Sequence, residues 1–165
     1  VLEVQFNLRR GEMTTPITYE ELAKELGVNV GEKADVIKTR EAVLKIRARK
    51  GMLLDDSDHD TYSAGSFFTN PIVAESDIPE GAPKYPQGNG TFKTSAAWLI
   101  EHSGITKGQR LNGAAISSKH VLAITNFENA KAEDIAALAI QVRDAVKMKF
   151  GIDLVPEVNL VGLSL

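Results

Sequence analysis

Cysteine is absent from the 165 residues, so neither a disulfide framework nor a thiolate metal site can form, which fits a reducing cytoplasm. No apolar run approaches the roughly 20 residues that span a bilayer, and no signal peptide is visible, so no membrane association is expected. A basic excess is missing as well. Lys and Arg number 19 against 22 Asp and Glu, for a formal charge of -3, whereas general nucleic-acid binding needs a clustered basic face. What remains is an ordinary soluble globular composition, 43% hydrophobic and 25% charged, at a length suited to one domain or to one small domain plus a piece of another. An initiator methionine is also lacking. Leu2, Val4, Phe6 and Leu8 alternate with Glu3, Gln5 and Asn7, which predicts a half-buried strand with a partner sheet. The expectation is therefore a chain that opens in mid-strand, as the C-terminal part of something longer.

The most informative stretch is Ser63-Ala64-Gly65-Ser66-Phe67-Phe68-Thr69-Asn70-Pro71. Gly65 lets another backbone or a ligand come close, Phe67 and Phe68 can anchor the segment in a core, and Ser66 and Asn70 are uncharged hydrogen-bonding groups. That combination suits a site. It also suits a plain turn in which Ser66 caps its own backbone and Asn70 precedes Pro71.

Around this stretch the pattern alternates between short helices and short strands. Thr18-Tyr19-Glu20-Glu21 has capping-box spacing, opening a helix that runs through Leu26 and stops at Gly27. A second helix is expected from about Asp35 to Lys50, with Val36, Ala42, Val43 and Ile46 on its buried face. The acidic run Asp55-Asp56-Ser57-Asp58-His59-Asp60 fails as a calcium loop, because Thr61 stands where glycine belongs and Phe67 where the bidentate glutamate belongs. It reads as an exposed connection, and no metal is expected. Residues 75–90 are rich in Pro and Gly, and Tyr85 is the lone aromatic there, placed as a lid contact or as a simple pin for the loop. Thr94 or Ser95 caps a helix whose buried side includes Ala97, Trp98 and Ile100, with His102 in its last turn. Residues 114–116 and 121–124 read as strands around the polar turn Ser117-Ser118-Lys119-His120. A long helix from near Glu133 buries Ile135, Leu138, Ala139, Val142, Ala145 and Val146, with Ala132 expected at the cap. A last strand places Leu154, Val158 and Leu160 opposite Asp153, Glu157 and Asn159.

Taken together, SAGSFFTNP, KYPQGNG, KTSAAWLIEHSGITKG, GAAISSKHVLAITN and FGIDLVPEV resemble, in order and spacing, the UDP-N-acetylenolpyruvoylglucosamine reductase (MurB) family from about residue 51 to 165. PITYEEL and ARKGMLLD are similar to the end of that family's flavin-binding half. The resemblance implies an α+β fold of short antiparallel strands packed with helices. Residues 1–50 would be the tail of an FAD-binding domain and residues 51–165 the C-terminal substrate-binding domain. It implies a cytoplasmic flavoenzyme of peptidoglycan synthesis, and so of cell-wall biogenesis, cell shape and division. NADPH would reduce FAD, and UDP-N-acetylglucosamine enolpyruvate would be reduced to UDP-N-acetylmuramate. By the same resemblance Ser66 supplies a proton and Glu157 positions or stabilises the enolic intermediate. Tyr19, Lys50, Asn70 and Tyr85 match substrate-binding positions, and Lys107 and His120 match further ones. The family's glycine-containing pyrophosphate loop has no counterpart after Val1, so this chain alone is expected to hold flavin poorly and to be inactive. A monomer is expected. The alternatives are a substrate-binding module without turnover, and a hydrolase using Ser66 with His59, His102 or His120, which the absence of a glycine two residues after Ser66 argues against.

Overall fold

A computed structural model describes residues 2–165, and Val1, the first residue of the expected opening strand, lies outside the described residues. The chain divides into two compact units, Val1–Lys50 and Gly51–Leu165.

The first unit is built on two helices, α1 (Glu20–Leu26) and α2 (Val36–Arg49). Its small core gathers Ile17, Ala23 and Ala34, with Leu22, Leu26 and Val28 packed against them. Gly27 ends α1 in the left-handed conformation, φ 69°, as expected of a glycine after a last helical turn. The capping box is not formed. The helix starts one residue later than the spacing implies, Tyr19 is its cap, and no side chain takes that role. The Asp35 carboxylate caps α2 by accepting from the Lys38 amide. The buried face of α2 matches expectation at Ala42 and Ile46 and differs at the valines. Val36 and Val43 are exposed, and the inward stripe runs through Thr39, Ala42 and Ile46. Glu25 draws in Lys45 and Arg49 at 2.7 and 2.6 Å, and the bonds from these two cations hold its carboxyl below the usual range. The expected strand before Leu8 is absent: residues 2–11 have no regular structure, and Leu2, Val4, Phe6 and Leu8 are exposed. Alternation selects a face but does not satisfy the backbone, and among the described residues no strand pairs with this segment.

The second unit carries two antiparallel sheets and two helices. The larger sheet has the order β1-β7-β6-β5, from β1 (Ser63–Ser66), β5 (Arg110–Leu111), β6 (Ala114–Ile116) and β7 (Ala123–Asn126). The smaller has the order β2-β4-β3, from β2 (Ile72–Ala74), β3 (Tyr85–Gly88) and β4 (Thr91–Lys93). Helices α3 (Ala96–His102) and α4 (Ala132–Phe150) pack with them around Phe68, Leu99, Ile100, Ile116, Leu138 and Val146. Ser95 caps α3 through its hydroxyl, and the buried face is Ala96, Leu99 and Ile100, turned from the expected Ala97 and Trp98, which are only half-buried. Helix α4 buries the expected stripe, but its cap is Lys131, whose amide donates to Asp134 Oδ2 at 2.9 Å. Past α4, Ile152 and Leu154 are buried and residues 153, 155, 157 and 159 exposed, so the expected alternation is present. The pairing is reduced to the single bridge Phe68 to Pro156, because Pro156 has no amide to extend a ladder.

Candidate functional site

Ser66 closes β1, which is an edge strand and is bulged. Its register with β7 shifts between Ser63 and Ser66, and Gly65 sits inside the bulge at φ +84°, a conformation that L side chains rarely adopt. The Ser63 hydroxyl accepts from the Gly65 amide at 3.2 Å and so fixes the bend. Immediately after it, the chain is clamped from both sides. The Phe67 amide donates to Leu122 O at 2.8 Å, and the Glu157 amide donates to Phe67 O at 2.8 Å. With Phe67 and Phe68 both buried, Ser66 is held at the end of a fixed backbone segment. Its own hydroxyl has no hydrogen-bond partner among the described residues, so it does not cap its own backbone.

The same clamp brings Glu157 beside the serine segment. Its backbone is fixed while its carboxylate is exposed. His120 sits in the turn between β6 and β7, its carbonyl accepts from the Ala123 amide at 3.0 Å, and Ala123 pairs with Ser66. Asn70 is tied down: its Oδ1 accepts from the Ala96 amide at 2.9 Å, at the head of α3, leaving its amide NH2 as the free donor. It also lines a groove of about 950 Å³ together with Ile72, Asp77, Phe150, Asp153 and Val155.

Tyr85 is exposed on β3 and faces Lys93 in register, with Ile72 on Lys93's other side. Lys93 escaped the sequence reading. It is half-buried and forms no ion pair among the described residues; the signal available was its place one strand across from Tyr85 in a β-hairpin. Lys107 is exposed and pairs with Glu101 at 3.4 Å. It precedes β5, three strand positions from β1, which is roughly 14 Å at ordinary strand spacing. Tyr19 and Lys50 belong to the first unit, where Tyr19 is exposed and Lys50 pairs with Glu21.

The acidic run is not the plain exposed connection expected of it. The Asp60 carboxylate accepts from Ser118 twice, from the amide at 2.8 Å and from the hydroxyl at 2.5 Å, and Asp58 pairs with Lys119. Burial pulls the Asp60 carboxyl upward, but the Ser118 and Ser117 donors and the Lys119 charge outweigh it and hold the group below the usual aspartate range. Asp60 also lines a pocket of about 290 Å³ with His59, Arg110, Ser118 and Phe127. His59 packs on Phe127 at 5.0 Å, and His102 stacks on Trp98 at 3.8 Å while bonding Trp98 O. Neither ring is bonded to Ser66, so a serine activated by either of these histidines is not formed.

A flavin diphosphate would need cations or free helix-terminal amides. The head of α1 carries Glu20 and Glu21, that of α2 is taken by Asp35, that of α3 by Asn70 and Ser95, and that of α4 carries Glu133 and Asp134. Each of these four helix heads is thus either taken by a side chain or acidic.

An α+β unit with a bulged serine strand and a glutamate clamped beside it is the class of domain these elements define. A model of the family described as "UDP-N-acetylenolpyruvoylglucosamine reductase, C-terminal domain" matches residues 57–161. The chain is 49% identical over 168 residues to the UDP-N-acetylenolpyruvoylglucosamine reductase of Cutibacterium acnes, covering 100% of this chain and 45% of that protein. It is 48% identical over 174 residues to the reductase of the same name from Mycolicibacterium gilvum, covering 100% of this chain and 50% of that protein. A crystal structure of UDP-N-acetylenolpyruvylglucosamine reductase from Thermus caldophilus aligns with 79% of this chain and 44% of its own, at 24% identity and a TM-score of 0.40. The chain belongs to the UDP-N-acetylenolpyruvoylglucosamine reductase family of oxidoreductases. It spans about half the length of the curated relatives it matches.

Proposed function

We propose that these residues form the substrate-binding portion of a cytoplasmic, monomeric reductase that converts UDP-N-acetylglucosamine enolpyruvate to UDP-N-acetylmuramate during peptidoglycan synthesis. Residues 51–165 would be its substrate-binding domain and residues 1–50 the tail of its flavin-binding domain. NADPH-reduced FAD, held mainly by residues outside this chain, would supply a hydride to the methylene carbon of the enolpyruvyl group. The double-bond electron pair then moves to the neighbouring carbon, next to the carboxylate, and that carbon must gain a proton.

Ser66 is positioned to give it. A free serine hydroxyl is a weak acid, so it serves only when held against a strongly basic carbanion and supported by other dipoles. The observation that carries this reading is the unpartnered Ser66 hydroxyl on a backbone clamped between Leu122 and Glu157. Glu157 would steady the enolic charge distribution, and Ser66 would recover its proton from water. Asn70, through its free amide, and Tyr85 would bind the nucleotide sugar. Lys107 would offer a cation to its diphosphate and His120 would contact the same ligand; Lys50, as a cation for the diphosphate, and Tyr19 are substrate contacts by the family resemblance alone.

The experiment is Ser66→Ala in a chain of the relatives' full length containing these residues. Reduction of flavin by NADPH should persist while reoxidation by substrate slows by about 100-fold or more, the scale of a lost general acid. Unchanged reoxidation removes Ser66 from the role. A second reading, binding without turnover by these residues alone, is favoured by the occupied or acidic helix heads described above. A purified chain that binds the nucleotide sugar yet carries no flavin would support it.

A further inference from the structure

Asp60 lies six residues before Ser66 and has no place in the chemistry above. Its two bonds to Ser118 nevertheless close a ring. From Asp60 the chain runs to Ser66, crosses by pairing to Ala123, returns through the turn to Ser118 and closes on Asp60. We infer that Asp60 is a positioning residue for Ser66, acting through the Ser117–Leu122 turn; the inference rests on the proposed role of Ser66 as proton donor.

The clamp on Phe67 fixes the chain just after Ser66, and the ring adds support on the side of β1 itself. β1 has four residues, lies at the edge of its sheet and is interrupted by a bulge. The direction of Ser66 is therefore set by Leu122 and Ala123, its partners across the strand gap. Those two residues end a turn whose base is closed by the Ser117 amide donating to Ala123 O at 2.9 Å. Inside it, the buried Ser117 hydroxyl accepts from the Lys119 and His120 amides at 3.1 and 3.2 Å. From outside, Asp60 grips Ser118 and Asp58 pairs with Lys119. Bonds to an ionised carboxylate are among the stronger ones available, and a reacting group displaced by about an ångström loses rate steeply.

Three variants, Asp60→Ala, Asp60→Asn and Ser118→Ala, test this in a chain of the relatives' full length, with Asp55→Ala as control. Asp55 belongs to the same acidic run but bonds Ser57, not the turn. Amide exchange at Phe67 and Ala123 should quicken by about tenfold in Asp60→Ala, reporting local opening. Reoxidation of reduced flavin by substrate should slow by about tenfold, with reduction by NADPH within about twofold of wild type. Asp60→Asn, which keeps one acceptor, should fall between, and Asp55→Ala should match wild type. If Asp60→Ala does not fold, Ser118→Ala and Asp60→Asn are read by the same criteria. Folded variants with wild-type exchange and wild-type reoxidation overturn the inference, and so does an equal slowing of both half-reactions, which marks a merely structural role. A wild-type enzyme that substrate does not reoxidise brings down the functional reading instead, and the exchange data alone then decide whether Asp60 orders the serine segment.

Discussion

Asn70 is asked to do two things, and two substitutions separate them. Its Oδ1 accepts from the Ala96 amide at 2.9 Å, and Ala96 is fully buried. Asn70→Ala therefore removes the acceptor from a donor that water reaches poorly. The expected cost is about 1 to 3 kcal/mol, combining a lost cap with an unsatisfied amide. For a unit of this size that lowers Tm by roughly 3 to 5 °C per kcal/mol. Asn70→Asp keeps the acceptor and sets a carboxylate at the positive end of α3, so stability should hold or rise by a few tenths of a kcal/mol, up to about 1 kcal/mol. The same change deletes the amide donor that the proposed function assigns to the nucleotide sugar. Losing a neutral hydrogen bond costs about 0.5 to 1.5 kcal/mol, or roughly 2- to 12-fold in affinity. The assay is a thermal melt with and without the UDP-linked enolpyruvyl sugar, since a ligand that binds the folded state raises Tm. Asn70→Ala should lose stability and ligand shift together, and Asn70→Asp the ligand shift alone. An Asn70→Ala variant melting with wild type would refute the capping argument. An Asn70→Asp variant with a full ligand shift would refute the donor role.

Two further predictions concern stability. A Cβ at Gly113 would stand 2.7 Å from Glu128 O and 2.8 Å from the Ala130 backbone, and Gly113 O also accepts from the Phe127 and Glu128 amides at 2.9 Å each. Backbone cannot step aside as a side chain can, so Gly113→Ala should cost about 1 to 3 kcal/mol, seen as a lower urea midpoint with unchanged slope; a wild-type midpoint would contradict the close approach. Asp60, whose folded-state carboxyl lies below its ordinary value, contributes stability that is present above the unfolded-state pKa and lost as pH falls through the folded one. The acid limb of the pH–stability curve should be shallower in Asp60→Asn, and an identical limb in both proteins would remove Asp60 as a source of that slope.

Local patterns that carry their own physical cause were legible in the sequence. The apolar stripe of α4, Gly27 at the end of α1, the Ser95 cap and the alternation past Leu154 could each be read from neighbouring residues. What was missed depends on partners distant in sequence. Alternation over Leu2, Val4, Phe6 and Leu8 shows which face a strand would bury, but not whether another strand is there to bond it. On α2 the expected Ala42 and Ile46 do turn inward while the expected Val36 and Val43 do not, so residue type alone did not fix the edge of that face. The site followed the same division. Ser66 and Glu157 were marked by short motifs, and their backbones prove adjacent. Asp60 was passed over because its partner, Ser118, is 58 residues away and only the fold joins them.

Polar groups in the second unit fall into two kinds, and the division itself argues for where the chemistry lies. Asp60, Asn70, Ser95 and Ser117 each have bonds that hold a turn or a helix end in place. The Ser66 hydroxyl and the Glu157 carboxylate have no such bonds among the described residues, yet Ser66 adjoins Phe67, which is bonded on two sides, and the Glu157 amide is one of those bonds. An unbonded group that is half-exposed or exposed remains solvated and costs little, unlike the Thr94 hydroxyl, which is fully buried and lacks a partner in the described structure. Fixed backbone with a spare functional group is what a site needs before its ligand arrives, because orientation is already set and nothing must be broken to engage. Lys107 is a weaker version of the same case. Its pairing with Glu101 is exposed, and such pairs contribute between about 0 and 1 kcal/mol, so the diphosphate proposed as its partner would draw the ammonium away at small cost.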